Sequence, residues 1–223
     1  MSEEKKKPSE LYPKVAECES RLNDLISENI NVGKEMLSAS ERKMYLPDIF
    51  FMGILNRTIN LIDAILCLTE RWNFVAAGPL IRIHLDTLLC LSYLRTTKNH
   101  DSFIMRVLEG KQLRKIKDEG GITLTDIKLR DYARPLFPQI DNVYMETSRL
   151  IHFSDKHVFS CIETVDDTGF TTFIGKGSSG WTEQSILSLL ECTIAITEVI
   201  LAIVRGWIFQ KAKSDKPNEQ RND

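Results

Sequence analysis

The run Tyr144-Met-Glu-Thr-Ser-Arg-Leu-Ile-His-Phe-Ser-Asp-Lys-His157 is the densest concentration of reactive side chains in the sequence and holds two of its four histidines. Tyr144, Ser148 and His152 stand at i, i+4 and i+8, a spacing that sets a phenol, a hydroxyl and an imidazole in a row on one helical face. Imidazole titrates near neutrality, so His152 is a candidate general acid or base. His157, just past a helix end expected at Ser154-Asp155, could fold back to join it. Arg149 is available to hold a phosphate, and Tyr144, Arg149, His152 and His157 are the candidate catalytic set. The competing reading is a helix end whose Tyr, Ser and His hydrogen-bond into the fold, since a helix C-terminus itself attracts His by about 0.3 to 1 kcal/mol. No carboxylate falls at a recognisable ligand spacing, so no metal is expected.

A second group of polar residues lies within apolar runs. Arg82 and Asp86 are an i, i+4 pair, with His84 pointing to the opposite side. With Ser148 they form the candidate binding set. Asn56, Asn60 and Asp63 align at i, i+4 and i+7, and Gln184, Glu191, Glu198 and Arg205 recur at seven-residue steps. Buried charges are tolerated when paired. Such stripes either face one another, a cavity or a partner subunit, or are register-fixing ion pairs and solvated faces of outer helices. A pocket between helices is where bundles usually build sites.

Other signals are weaker. Gly169 to Lys176 has neither the spacing nor the Ser or Thr of a phosphate-binding loop. The Gly175 to Gly180 segment precedes a helix and reads mainly as a connection. Between Arg106 and Arg134, eight basic residues meet five acids, an excess that could touch RNA phosphates or simply be a solvated face. No nucleophile elbow, dinucleotide turn or paired catalytic carboxylate is visible, and no cofactor is expected.

The elements that position these groups follow from periodicity. Leu11, Val15, Cys18, Leu22 and Leu25 mark an amphipathic helix running to about Leu37. A second helix after Pro47 is apolar on most faces and is expected at the centre. A third spans Phe74 to Leu94, with Pro79 expected in its first turn. A basic helix from Asp101 to Lys117 is expected to end at Gly120-Gly121, and Thr125 to Ala133 forms a short one. Pro138 opens the helix carrying Tyr144. From Val158 to Ile174 the β-branched pattern around Asp167-Thr168-Gly169 predicts a hairpin, and Trp181 to about Lys211 is a last long helix. The fold class is mainly α: one helical-bundle domain over residues 11–211 with a short late β-hairpin insertion, flanked by disordered polar tails at 1–10 and 212–223.

The 223 residues are 43% hydrophobic and 27% charged, with 29 Lys plus Arg against 31 Asp plus Glu. A formal charge of -2 excludes a strongly basic nucleic-acid coat. Five scattered cysteines without a C-x-x-C spacing read as reduced core residues, and the charged N-terminus lacks a signal-peptide core, so a cytoplasmic protein is expected. The three apolar helices approach the ~20 residues of a membrane span. Each carries two or three charges (Arg57 and Asp63; Arg82 and Asp86; Glu191, Glu198 and Arg205) that each cost roughly 2.5 to 3.5 kcal/mol at mid-membrane, so a soluble bundle with no membrane partner is expected.

Ala76-Ala-Gly-Pro-Leu-Ile-Arg-Ile-His-Leu-Asp86, followed about sixty residues later by Tyr144-x-x-x-Ser148-x-x-x-His152-Phe-Ser, resembles a family of all-helical bacterial proteins of unassigned activity. That family is distantly similar to the HEPN superfamily of helical bundles, many of them ribonucleases of toxin and phage-defence systems. The resemblance, over about residues 48–210, implies a dimeric defence or stress protein acting on RNA. His152 would then be the acid or base at a ribose 2′-hydroxyl, Arg149 the phosphate holder, and Arg82 and Asp86 the organisers. HEPN ribonucleases keep four to six residues between Arg and His; here Arg149 has two before His152 and seven before His157. The other expectation is a non-enzymatic dimeric interaction module closed by buried polar stripes.

Overall fold

Proline lacks the N–H that the first turn of a helix leaves unused, and it opens α1 (Pro8–Leu11), α2 (Pro13–Ser38) and α3 (Leu46–Glu70) at their first or second position. Side-chain caps start the next three. Asn73 accepts from the Ala76 N–H before α4 (Phe74–Leu94), Asn99 from Ser102 before α5 (His100–Leu108), and Thr125 from Lys128 before α6 (Asp126–Ala133). The chain continues through α7 (Ile140–Ile151), α8 (Asp155–Phe159), an antiparallel hairpin of β1 (Ile162–Asp166) and β2 (Gly169–Thr172), and α9 (Glu183–Ser214). This computed structural model describes residues 6–166, 169–172, 174–175 and 181–214. The mainly α bundle with a late hairpin is therefore the architecture. The expected hairpin turn at Asp167-Thr168, most of the Gly175–Gly180 connection and the last nine residues lie outside the described residues.

The core is built on α4, which packs against α3, α6, α7 and α9. From His84 to Leu94 only Asp86 escapes burial, because the run Leu-Leu-Cys-Leu-Ser-Tyr-Leu has no polar face to offer solvent. This corrects the expectation that the second long helix is central: α3 keeps an outer face of Met52, Asn56, Asn60, Asp63 and Cys67 exposed. α2 and α9 run parallel, since Arg21 to Glu198, Glu28 to Arg205 and the Met36 carbonyl to Lys211 meet at nearly constant sequence offsets of 177, 177 and 175. By length and composition alone, α3, α4 and the Glu183–Lys213 stretch of α9 are each apolar enough to cross a membrane.

Several boundaries differ from expectation for identifiable reasons. The N-terminal tail is folded from residue 6: the Trp72 indole donates to the Lys6 carbonyl at 2.8 Å, Lys7 pairs with Glu70 at 3.1 Å, and Pro8 is buried. Pro79 sits in the body of α4 and not its first turn, forfeiting a hydrogen bond to the Val75 carbonyl. α5 stops at Leu108, because Gly110 takes the left-handed conformation (φ +76°) and ends it. A short 3-10 turn at Leu113–Lys115 and a Lys117–Thr123 bridge follow. α7 ends at Ile151, before Ser154, and Val158 and Phe159 belong to α8 rather than to the hairpin.

Candidate functional site at the junction of α4, α6, α7 and α8

Arg82 brings its charge from α4 into the interior, where it is 5% exposed. Such a cation must be compensated, and it is: its guanidinium donates to Asp86 one turn on and, at 3.2 Å, to Asp126 of α6. The Tyr144 ring lies under it, 4.1 Å from ring centroid to guanidinium carbon, and the Arg130 guanidinium approaches the same ring at 4.5 Å. Two cation–π contacts therefore converge on one phenol. The Tyr144 hydroxyl donates to Asp126, and Arg130 donates to Asp141 at 2.7 Å. Asp141 also accepts from Arg134, whose guanidinium holds the Asp141 carboxyl below its usual range. The Arg130 Nε is buried without a hydrogen-bond partner among the described residues. Three of the predicted residues, Arg82, Asp86 and Tyr144, thus meet in one network. Arg82 donates to Asp86 and Asp126 and Tyr144 donates to Asp126, which makes the cluster a clamp joining α4, α6 and α7.

The predicted row of phenol, hydroxyl and imidazole is broken. Tyr144 and Ser148 share α7, but His152 is its C-cap in an extended conformation (φ −91°, ψ 142°) and its side chain is exposed. The Ser148 hydroxyl donates to the Tyr144 carbonyl at 2.7 Å, a bond internal to the helix. Arg149 is engaged by Asp155 at 2.6 Å and Glu146 at 3.3 Å. Asp155 raises the Arg149 pKa while Arg149 lowers that of Asp155, so this guanidinium already has its anions.

His157 is placed by the cap of α8. The Ser154 N–H donates to its Nδ1 at 3.2 Å while the Ser154 hydroxyl donates to the Arg149 carbonyl at 2.7 Å. With Nδ1 accepting, neutral His157 carries its proton on Nε2 and presents a donor, not a base. Phe153 stacks on the same ring at 5.8 Å. His157 lines a cleft of about 630 Å³ with Glu146, Lys156, Trp181, Ser185 and Ser188, walled by apolar side chains of α4, α7 and α9. Lys156 pairs with Glu146 at 3.8 Å. Neither His152 nor Arg149 is among the lining residues, so the predicted catalytic set does not converge.

Of the two readings of the polar stripes, the structure shows that of solvated faces and ion pairs on α3 and α9. Asn56, Asn60 and Asp63 lie on the exposed face of α3, and Gln184, Glu191, Glu198 and Arg205 on that of α9, where Glu198 and Arg205 bridge to Arg21 and Glu28 of α2. His84 does point away from Arg82. It is fully buried, with Nε2 at 2.9 Å from the Thr197 hydroxyl of α9, and burial lowers its pKa to about 3. The cysteines are all unbridged, but Cys67 is exposed rather than in the core.

Asp126, Arg130 and Asp141 went unnoticed in the sequence because they stand in a polar stretch that reads as a solvated face. The Asp48–Lys211 pair, fully buried at 2.9 Å, joins residues 163 apart and left no local signal. Among the described residues no group of three or more His, Cys, Asp or Glu could hold a metal ion. No protein-family model, no curated protein and no solved structure matches this chain.

Proposed function

We propose that the protein is a non-enzymatic interaction module that pairs with a second copy of itself through the face formed by the end of α7, α8 and the hairpin. The observation that carries this is a run of exposed apolar side chains between residues 151 and 174. Phe153 is 85% exposed and Ile174 98%, and Ile151, Val158, Phe159 and Phe170 are exposed with them. At ~150 to 250 Å² per aromatic side chain, the three phenylalanines alone offer on the order of 400 Å², and the aliphatic residues bring the face toward the ~800 Å² per partner of a standard interface. The ions nearby are already matched, Arg149 with Asp155 and Lys156 with Glu146, so like copies meet no repulsive field. The hairpin is a two-stranded sheet, and the edge of such a sheet can be continued by the same edge of a second chain about a twofold axis. In this reading the bundle works in the cytoplasm, off the bilayer, with the apolar faces of α4 turned inward.

The test is sedimentation velocity of the full chain and of Phe153→Ser/Phe170→Ser over about 1 to 100 μM. A wild-type dimer that the double variant converts to monomer is expected. A monomeric wild type, or a dimer indifferent to both substitutions, overturns the proposal.

A second reading, action on RNA in the manner of the HEPN bundles, is favoured by one observation, the position of His157 beside Lys156 in an open cleft. It is tested by degradation of mixed RNA by wild type, His152→Ala and His157→Ala, with folding checked by circular dichroism. Activity lost in a folded His157→Ala protein supports it; equal inactivity of all three sinks it.

A further inference from the structure

On the other side of α9, small residues open a groove that none of the described residues fills. Ala195, Ala202 and Gly206 recur along one face of α9, and the space above them, about 650 Å³, is bounded by Phe51 and Trp207 on one side and Phe137 on another. That volume lies within the ~300 to 1,000 Å³ of small-molecule sites, which are mostly apolar with a few polar groups that orient the ligand. The aromatic wall is preset: the Trp207 indole donates to buried Asp48 at 2.7 Å and stacks on Phe51 at 6.2 Å between ring centroids.

Three charged or titratable groups line the groove: Arg95, His100 and Glu198. Glu198 is already neutralised, accepting from Arg21 at 2.8 and 3.3 Å. Arg95, the exposed C-cap of α4, has no carboxylate within ion-pair distance among the described residues. The groove thus combines an apolar floor with one unmatched guanidinium, the fork that carboxylates bind in bidentate fashion.

We infer that the groove between α4, α5 and α9 binds a monocarboxylate with an apolar body, of the medium-chain fatty acid type. The carboxylate sits at Arg95, and the hydrocarbon lies over Ala195, Ala202 and Gly206. The site is separate from the face proposed for self-association and does not depend on it.

Isothermal titration of the full chain with decanoate, held below its micellar concentration, tests this. One-to-one binding is expected. Octanoate should bind about tenfold more weakly, from two lost methylenes, and decanol at least about tenfold more weakly, from the lost charge-assisted hydrogen bonds. Gly206→Leu should abolish binding in a folded protein, since nothing lies within 4 Å of a Cβ built at that position. Arg95→Gln should erase the preference for decanoate over decanol. Phe153→Ser/Phe170→Ser should bind as wild type, which separates the groove from the other apolar face. No decanoate binding to wild type, binding that survives Gly206→Leu, or equal affinity for acid and alcohol each overturns the inference.

Discussion

A methyl group at position 78 would stand 2.7 Å from Leu150 Cδ1 and 3.3 Å from its Cβ. Gly78 is therefore what lets α7 approach α4 closely enough for Tyr144 to reach Arg82. Gly78→Ala should cost about 1 kcal/mol, overpacking of ~1 to 3 kcal/mol being partly offset by better helix propensity, and Gly78→Val should cost more. Gly53→Ala, where nothing lies within 4 Å, should instead gain about 0.5 to 1 kcal/mol. Urea denaturation of the three variants measures this, and equal effects at both glycines would refute the close-approach argument. The buried pair of Asp48 and Lys211 makes a sharper residue-scale case. Lys211 donates to Asp48 and to the Met36 carbonyl, both at 2.9 Å, while Asp48 also accepts from the Trp207 indole. Lys211→Met should cost about 3 to 5 kcal/mol by stranding a buried carboxylate, and adding Asp48→Leu should recover part of that loss. If the double variant is no more stable than the single one, the penalty is not that of an orphaned charge.

Between α2 and α3, Ser40, Glu41 and Arg42 all take left-handed φ values of 57°, 53° and 65°. For residues with a Cβ this costs ~1 to 2 kcal/mol each, and the turn persists because the Ser40 hydroxyl donates to the Lys211 carbonyl at 2.8 Å. Glu41→Gly should raise stability by up to about 1 kcal/mol, or roughly 2 to 4 °C in Tm for a chain of this size, as read by thermal unfolding. An unchanged or lower Tm would mean the turn carries no strain there. Nothing in Ser-Glu-Arg announces a left-handed turn, and this marks where the sequence stops being legible. α4 is readable to its ends because a long apolar run is bounded by Asn73 and polar residues, and the hairpin is readable in its existence, though not its start, because its β-branched pattern departs from helical period. α5 is misread by about two and a half turns because basic residues continue the helical pattern past Gly110, whose conformation no pattern reports. Tyr144, Arg82 and Asp86 are each visible as chemistry-bearing residues. Their union is not, since it is made by Asp126 and Arg130 on a third helix. The row from Tyr144 to His152 fails because α7 ends one residue before the imidazole.

Across the whole molecule, acid should act in two stages with different origins. His84 is buried and neutral, with its pKa lowered by desolvation from the ordinary 6.5 to about 3. Between those values the unfolded chain binds a proton that the folded one refuses, so stability rises with pH there, at up to about 1.4 kcal/mol per pH unit, and levels off above the unfolded pKa. The carboxylates of Glu28, Asp118, Glu119, Asp141 and Asp155 are held below their usual range by arginine partners or backbone N–H groups. Their contribution is present above the unfolded carboxylate pKa and is lost as pH falls through the lowered folded values. Glu19 opposes them, since burial raises its pKa and favours the folded state on the acid side. The carboxylate stage thus begins near pH 4, whereas the His84 stage begins near pH 6.5. His84→Leu separates the two stages without orphaning Thr197, whose hydroxyl still donates to the Thr193 carbonyl at 2.8 Å. Urea titrations from pH 4.5 to 7 should show a rising stability in wild type and a nearly flat one in His84→Leu, with both falling together below pH 4. A variant that keeps the wild-type slope above pH 4.5 would assign that stage to another group and remove His84 from the account.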